Sequence, residues 1–151
     1  MDAETSSTVR NVLFIMADQL RWDYLSCNGH PHLETPNIDA LAARGVNFSK
    51  AFVQGPVCGA SRMSTYTGRY VSSHGSFWNF VPLSIGVKTL GDHVRPHGVR
   101  CAVVGKTHVE ADVEGAARVG LDISEGPGLL AMEGGFEPFA RDDGTWPPGF
   151  K

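Results

Sequence analysis

The sequence predicts an α/β fold built on a largely parallel sheet with helices on both faces. Three observations carry that prediction. Two mainly apolar runs, 11–17 and 99–104, the second interrupted by Arg100, have the composition of strands buried on both sides. A segment punctuated as a helix at both ends, 35–45, follows the first run. Strand-type and helix-type segments then alternate, which is the pattern of a covered parallel sheet.

Each element has its own justification. The run 11–17 is apolar apart from Asn11 and is followed at once by polar Asp18 and Gln19. In the next element Thr35 is placed to cap, Pro36 suits the first helical position and Gly45 suits the stop. Ile38, Leu41 and Ala42 then give its buried stripe. Residues 46–53 alternate as a strand, and 62–66 start a helix just after Cys58. A short helix over 89–97 is cut late by Pro96. The strand over 99–104 ends in Gly105-Lys106-Thr107-His108. Ligands of such sheets sit beyond the carboxyl ends of the strands. Asp18-Gln19 and Lys106-Thr107-His108 are therefore expected on one rim.

Composition sets the outer limits. The chain has 151 residues, 42% hydrophobic and 19% charged, which is enough for one domain with a sizeable core. Thirteen basic and sixteen acidic residues leave a net charge of -3. That balance excludes a general nucleic-acid binder and offers no polybasic patch for a membrane surface. No apolar run approaches the roughly 20 residues that a membrane span needs. Residues 1–8 are acidic and rich in Ser and Thr, without the basic and apolar regions of a secretory signal. They read as a flexible leader, and the chain as cytoplasmic. Residues 9–114 read as the α/β region. Glycine and proline crowd into 115–151, as in Glu125-Gly126-Pro127-Gly128 and Trp146-Pro147-Pro148-Gly149, so this stretch reads as loop-rich. A long structureless tail is unusual in a compact domain. The expectation is a domain that continues beyond this chain. Three cysteines, Cys27, Cys58 and Cys101, fit neither a disulfide framework nor a zinc spacing.

Several residues can carry chemistry. Asp18 and Gln19 offer oxygen donors of the kind that hard cations take, although Asp after a strand is also a common turn former. Cys58 stands near a helix start with Arg62 close by, the setting of a reactive cysteine; the alternative is a small buried apolar side chain. Lys106 and His108 point to one side if their segment stays extended, and together present two donors to an anionic ester. His30 and His32 lie in a Pro-containing loop. His93 and His97 read as the solvated face of a short helix. His74 and Asn79 follow the cysteine.

Four stretches together resemble the N-terminal part of the sulfatase family, within the alkaline phosphatase superfamily. They are residues 11–19, residues 35–41, Cys58-Gly59-Ala60-Ser61-Arg62 through Thr67-Gly68-Arg69, and Gly105-Lys106-Thr107-His108. Their order and spacing cover nearly all of 11–108. The resemblance implies a three-layer, alkaline-phosphatase-like sandwich, of which this chain is the N-terminal part. It also implies that Cys58 is oxidised to formylglycine by a formylglycine-generating enzyme, with Arg62 as the signature arginine. The hydrated aldehyde, held on one divalent metal (calcium or manganese), attacks sulfur or phosphorus. The ester alcohol leaves, the second hydroxyl loses its proton, and the aldehyde re-forms as the anion is expelled.

The same resemblance assigns Asp18, Gln19 and residue 58 to the metal. It places Lys106 and His108 on the nucleophile and the bound anion, and Asn79 on the substrate. Lys106, His108 and Arg62 would offset charge on the transferred group. Three departures stand out. Ala60 replaces the commoner proline. Gln19 replaces a second aspartate, as in the phosphonate monoester hydrolase branch, whereas Lys106-Thr107-His108 follows the sulfatase branch. No downstream metal ligands can be matched after residue 108. The implied reaction is sulfate-ester hydrolysis, with phosphonate or phosphate esters as the alternative substrates, and the 151 residues alone are expected to be inactive. A serine- or threonine-dependent phosphomonoesterase or phosphomutase is disfavoured by Cys58 with Arg62 four residues later.

Overall fold

A computed structural model describes residues 9–142. The expected strand over 99–104 forms as β1, Ala102–Gly105, but it is not buried on both faces, since Val104 is 71% exposed. It pairs in parallel with β2, Glu137–Arg141, in a two-stranded sheet. The register sets Ala102 against Glu137 and Gly105 against Arg141, with an irregularity between Val103 and Val104. Backbone bonds extend the pairing at both ends, from the Glu137 N–H to the Cys101 carbonyl (2.8 Å) and from the Asp142 N–H to the Gly105 carbonyl (3.1 Å). Pro138 has no N–H to give a ladder, which suits β2 to a sheet edge.

The chain divides into two compact units between Ala51 and Phe52. In the first, α1 spans Pro36–Arg44 and two 3-10 turns precede it, Trp22–Tyr24 and Ser26–Asn28. Thr35 does not cap α1 through its side chain, contrary to expectation. Its hydroxyl instead donates to Asp39 Oδ1 (2.9 Å) and accepts from the Ser26 N–H (3.0 Å). Asp39 also takes the Ser26 hydroxyl at 2.5 Å and the Cys27 N–H at 2.9 Å. The Ser26 hydroxyl is the main cause that holds the Asp39 carboxyl below its ordinary pKa. This cluster ties the turn before α1 to its first turn.

Two other expectations for this region do not hold. Residues 11–17 form no strand, and Val12 (84%), Leu13 (84%), Phe14 (70%) and Ile15 (77%) are exposed. Residues 46–53 likewise form no strand, and Val46, Phe48, Phe52 and Val53 are exposed. The physical reason is that a strand is defined by its neighbours: apolar composition supplies demand for burial, not the ladder that satisfies N–H and C=O groups. The α1 stripe is uncovered in the same way, with Leu41 62% exposed. Asp18 and Gln19 therefore follow a segment that forms no strand.

The second unit holds the rest: α2, Cys58–Thr67; α3, Val71–His74; α4, Leu90–Val94, continued by a 3-10 turn Arg95–His97; α5, Val113–Arg118; and α6, Gly126–Met132. Its buried side chains include Ala60, Met63, Tyr66, Leu83, Val109 and Ala116. Phe136 packs edge-on against Tyr66, with ring centroids 5.0 Å apart. The short helix expected over 89–97 is present, and His93 and His97 are exposed. At its start the Asp92 carboxylate accepts both the N–H and the hydroxyl of Thr89, each at 3.0 Å.

Residues 115–142 are not the loop that the glycine and proline content suggested, because α5, α6 and β2 occupy much of them. Pro127 is compatible with the first turn of α6. Gly128 is required by close approach: a Cβ there would fall 1.7 Å from the Asp122 carbonyl oxygen. Trp146-Pro147-Pro148-Gly149 and the leader 1–8 lie outside the described residues. Among the described residues no helix is long and apolar enough to cross a membrane.

Candidate active site

Helix α2 begins at Cys58 itself, four residues before the expected start, and places Cys58 and Arg62 one turn apart on one face. Val57 precedes it in extended conformation and provides no side-chain cap. The cap comes instead from Asn79, whose Oδ1 accepts the Gly59 N–H at 2.9 Å. Only glycine fits there easily. A Cβ on residue 59 would meet Asn79 Oδ1 at 3.1 Å and the Trp78 carbonyl oxygen at 3.2 Å.

The next turn of α2 reaches the segment after β1. Arg62 is buried, 5% exposed, and its Nη1 donates to the Lys106 carbonyl at 2.6 Å. The same nitrogen lies 3.4 Å from the Tyr66 hydroxyl, which donates to the Thr107 carbonyl at 3.2 Å. The segment 106–108 is not extended as expected. The strand stops at Gly105 (φ 85°), and His108 adopts a left-handed backbone (φ 52°). The simple alternation that put Lys106 and His108 on one side therefore does not apply. These two residues flank Thr107, which is fully buried. The His108 ring lies against Phe80, centroids 6.3 Å apart.

Cys58, Arg62, Asn79, Lys106 and His108 thus belong to one connected set within the second unit. Asp18 and Gln19 belong to the first unit, where they form an exposed turn with Gln19 at φ 60°. Their oxygens suit a hard cation. Among the described residues no three or more His, Cys, Asp or Glu side chains converge as a metal-binding group. Cys27, Cys58 and Cys101 are all free thiols. A cavity of about 260 Å³ lies along α2, lined by Phe52, Val53, Gln54, Ser61, Ser64 and Thr65.

Two features of the second unit were given no role by reading motifs. The first is His74, which is 4% exposed. Its Nδ1 accepts the Ser76 N–H at 3.1 Å, so the proton of the neutral ring sits on Nε2, 2.9 Å from Ser64 Oγ in α2. Burial pushes the His74 ring below its ordinary pKa of 6.5. The folded chain keeps His74 neutral where the unfolded chain takes up a proton. The contribution of His74 to stability is full above about pH 6.5 and declines as pH falls toward the lowered folded value. Chemical denaturation of the full-length protein at pH 7 and pH 5.5 should show this loss, and His74→Gln should reduce it. The second feature is the ion pair of buried Glu133 with partly exposed Arg141 (3.0 Å). A buried carboxylate with a cation partner is a recognisable signal only once the chain is folded.

Comparison with known proteins bears on the same region. The family model described as "Sulfatase" matches residues 10–139. An arylsulfatase of Clostridium perfringens is 37% identical over 106 residues, covering 66% of this chain and 21% of that protein. The crystal structure of a phosphonate monoester hydrolase of Agrobacterium radiobacter is similar at TM-score 0.65 and 32% identity, over 83% of this chain and 24% of that one. A phosphonate monoester hydrolase from Silicibacter pomeroyi is similar at TM-score 0.69 and 31% identity, over 87% of this chain and 25% of that one. The chain spans about a fifth of the length of the curated relatives that it matches.

Proposed function

Because the chain belongs to the sulfatase family, with the matched region running over residues 10–139, we propose that it is the nucleophile-bearing part of a sulfate-ester hydrolase. The observation that carries this reading is the lacing of α2 to the segment after β1. Cys58 opens α2, and Arg62, one turn on, donates to the Lys106 carbonyl at 2.6 Å. The residue expected to attack and the pair expected to hold the anion are thereby built on one scaffold.

A formylglycine at position 58, made by a formylglycine-generating enzyme, supplies a hydrated aldehyde with its own route for expelling the anion. A divalent cation, calcium or manganese, would supply charge neutralisation, and Asp18 and Gln19 would offer it oxygen donors. The chain's own residues do the rest. The first turn of α2 turns backbone N–H groups toward the anion-binding end of the helix. Lys106 and His108 offset charge on the transferred group and its leaving oxygen. Arg62, buried and bonded to the Lys106 backbone, holds that pair in place.

A second substrate class has its own supporting observation. Gln19 stands where many sulfatases carry an aspartate, as in the phosphonate monoester hydrolase branch, and two similar solved structures are phosphonate monoester hydrolases. Both esters are monoanions at neutral pH, so one anion cradle suits either. The test is mass spectrometry of the Cys58 peptide from the full-length protein made in its own host. The thiol replaced by an aldehyde is the expected result, and an intact thiol overturns the covalent mechanism. The ratio of kcat/KM for an aryl sulfate and an aryl phosphonate then decides between the substrates.

A further inference from the structure

We propose that Thr107, Glu133 and Arg141 form a clamp that fixes the backbone between Lys106 and His108, with Glu133 as its key positioning residue. This rests on the reading of Lys106 and His108 given above. Glu133 follows α6 and is 4% exposed. Arg141 ends β2, opposite Gly105 in the register, and pairs with Glu133 at 3.0 Å. Thr107, 0% exposed, contacts both. Its hydroxyl donates to Glu133 Oε2 at 3.4 Å and accepts from Arg141 Nε at 3.3 Å.

Three elements thus converge under the middle residue of Lys106-Thr107-His108. α2 holds the same segment by its backbone, through Arg62 on the Lys106 carbonyl and Tyr66 on the Thr107 carbonyl. A segment held at both its carbonyls and its central side chain cannot slide. It also needs holding, because His108 is left-handed (φ 52°), a conformation that costs a non-glycine residue about 1 kcal/mol. Burying a carboxylate is costly unless it is paired and hydrogen-bonded. That cost falls where two charge-bearing donors on either side of Thr107 need fixed positions.

The test uses the full-length protein with 4-nitrophenyl sulfate as probe. Glu133→Gln and Thr107→Val should each lower kcat about tenfold or more while KM stays nearly constant, since a small misplacement of a transition-state donor acts on turnover. Thr107→Ser, which keeps the hydroxyl, should restore most of the loss. In a Lys106→Ala background the Glu133→Gln loss should shrink by at least about threefold, because both act on one step. Thr107→Val turning over as wild type, or Glu133→Gln losses that are equal in both backgrounds, would overturn the clamp. So would Thr107→Val failing to fold alongside Glu133→Gln, which makes the cluster structural alone. Wild-type turnover in both Lys106→Ala and His108→Ala would instead overturn the reading on which the clamp rests, whatever the clamp variants do.

Discussion

Cys58→Ala in the full-length protein is expected to abolish ester hydrolysis while leaving the fold intact. The side chain is only partly buried and is the first residue of α2, so its removal opens little space in the core. No neighbour can take over the attack from the same position. Ser61 and Ser64 lie further along α2, and Ser64 Oγ is engaged with His74. Loss of a covalent nucleophile costs on the order of 10⁶ in kcat where it has been isolated in other hydrolases. Cys58→Ser is expected to fare little better, since a serine ester lacks the internal exit that a hydrated aldehyde provides. Turnover on an aryl sulfate, with melting temperature measured alongside, checks this. An alanine variant with wild-type activity would remove Cys58 from the mechanism.

Arg62→Met is expected to damage both stability and turnover. Arg62 is 5% exposed, and its Nη1 makes a 2.6 Å bond to the Lys106 carbonyl across 44 residues of sequence. Methionine fills much of the same space but leaves that carbonyl without its donor. A charged hydrogen bond lost in the interior costs roughly 2–3 kcal/mol. The shift in denaturant midpoint should report that loss, with the slope unchanged. Turnover should fall because the Lys106–His108 segment loses one of its attachments. Arg62→Lys should recover only part of either, because a single ammonium cannot reproduce the guanidinium fork. A methionine variant with full stability would show that the bond to Lys106 holds nothing.

How much of this was legible in the sequence depends on the distance over which each interaction acts. Cys58 and Arg62 are one helical turn apart, and a local spacing is all that their pairing needs. The helix over 36–44, the short helix after Thr89 and the strand before Lys106 were likewise written in local punctuation and apolar runs. The loop-rich reading of 115–142 failed because glycine serves two purposes. It loosens a chain in solution, but at Gly128 it lets two backbones touch. Residues 11–17 show the reverse error: apolar composition asked for burial, and among the described residues no strand pairs with them.

The sequence by itself determined the kind of residue available to the chemistry and its order: cysteine, arginine and then Lys106 with His108, on a chain whose family can be read from four short motifs. Only the tertiary structure decided what those residues rest on. Asn79 caps α2 from 20 residues away, and Glu133 and Arg141 meet Thr107 from 26 and 34 residues away. No periodicity marks such partners, because their selection comes from the cost of leaving buried polar groups unpaired, and that cost exists only once the chain has closed around them.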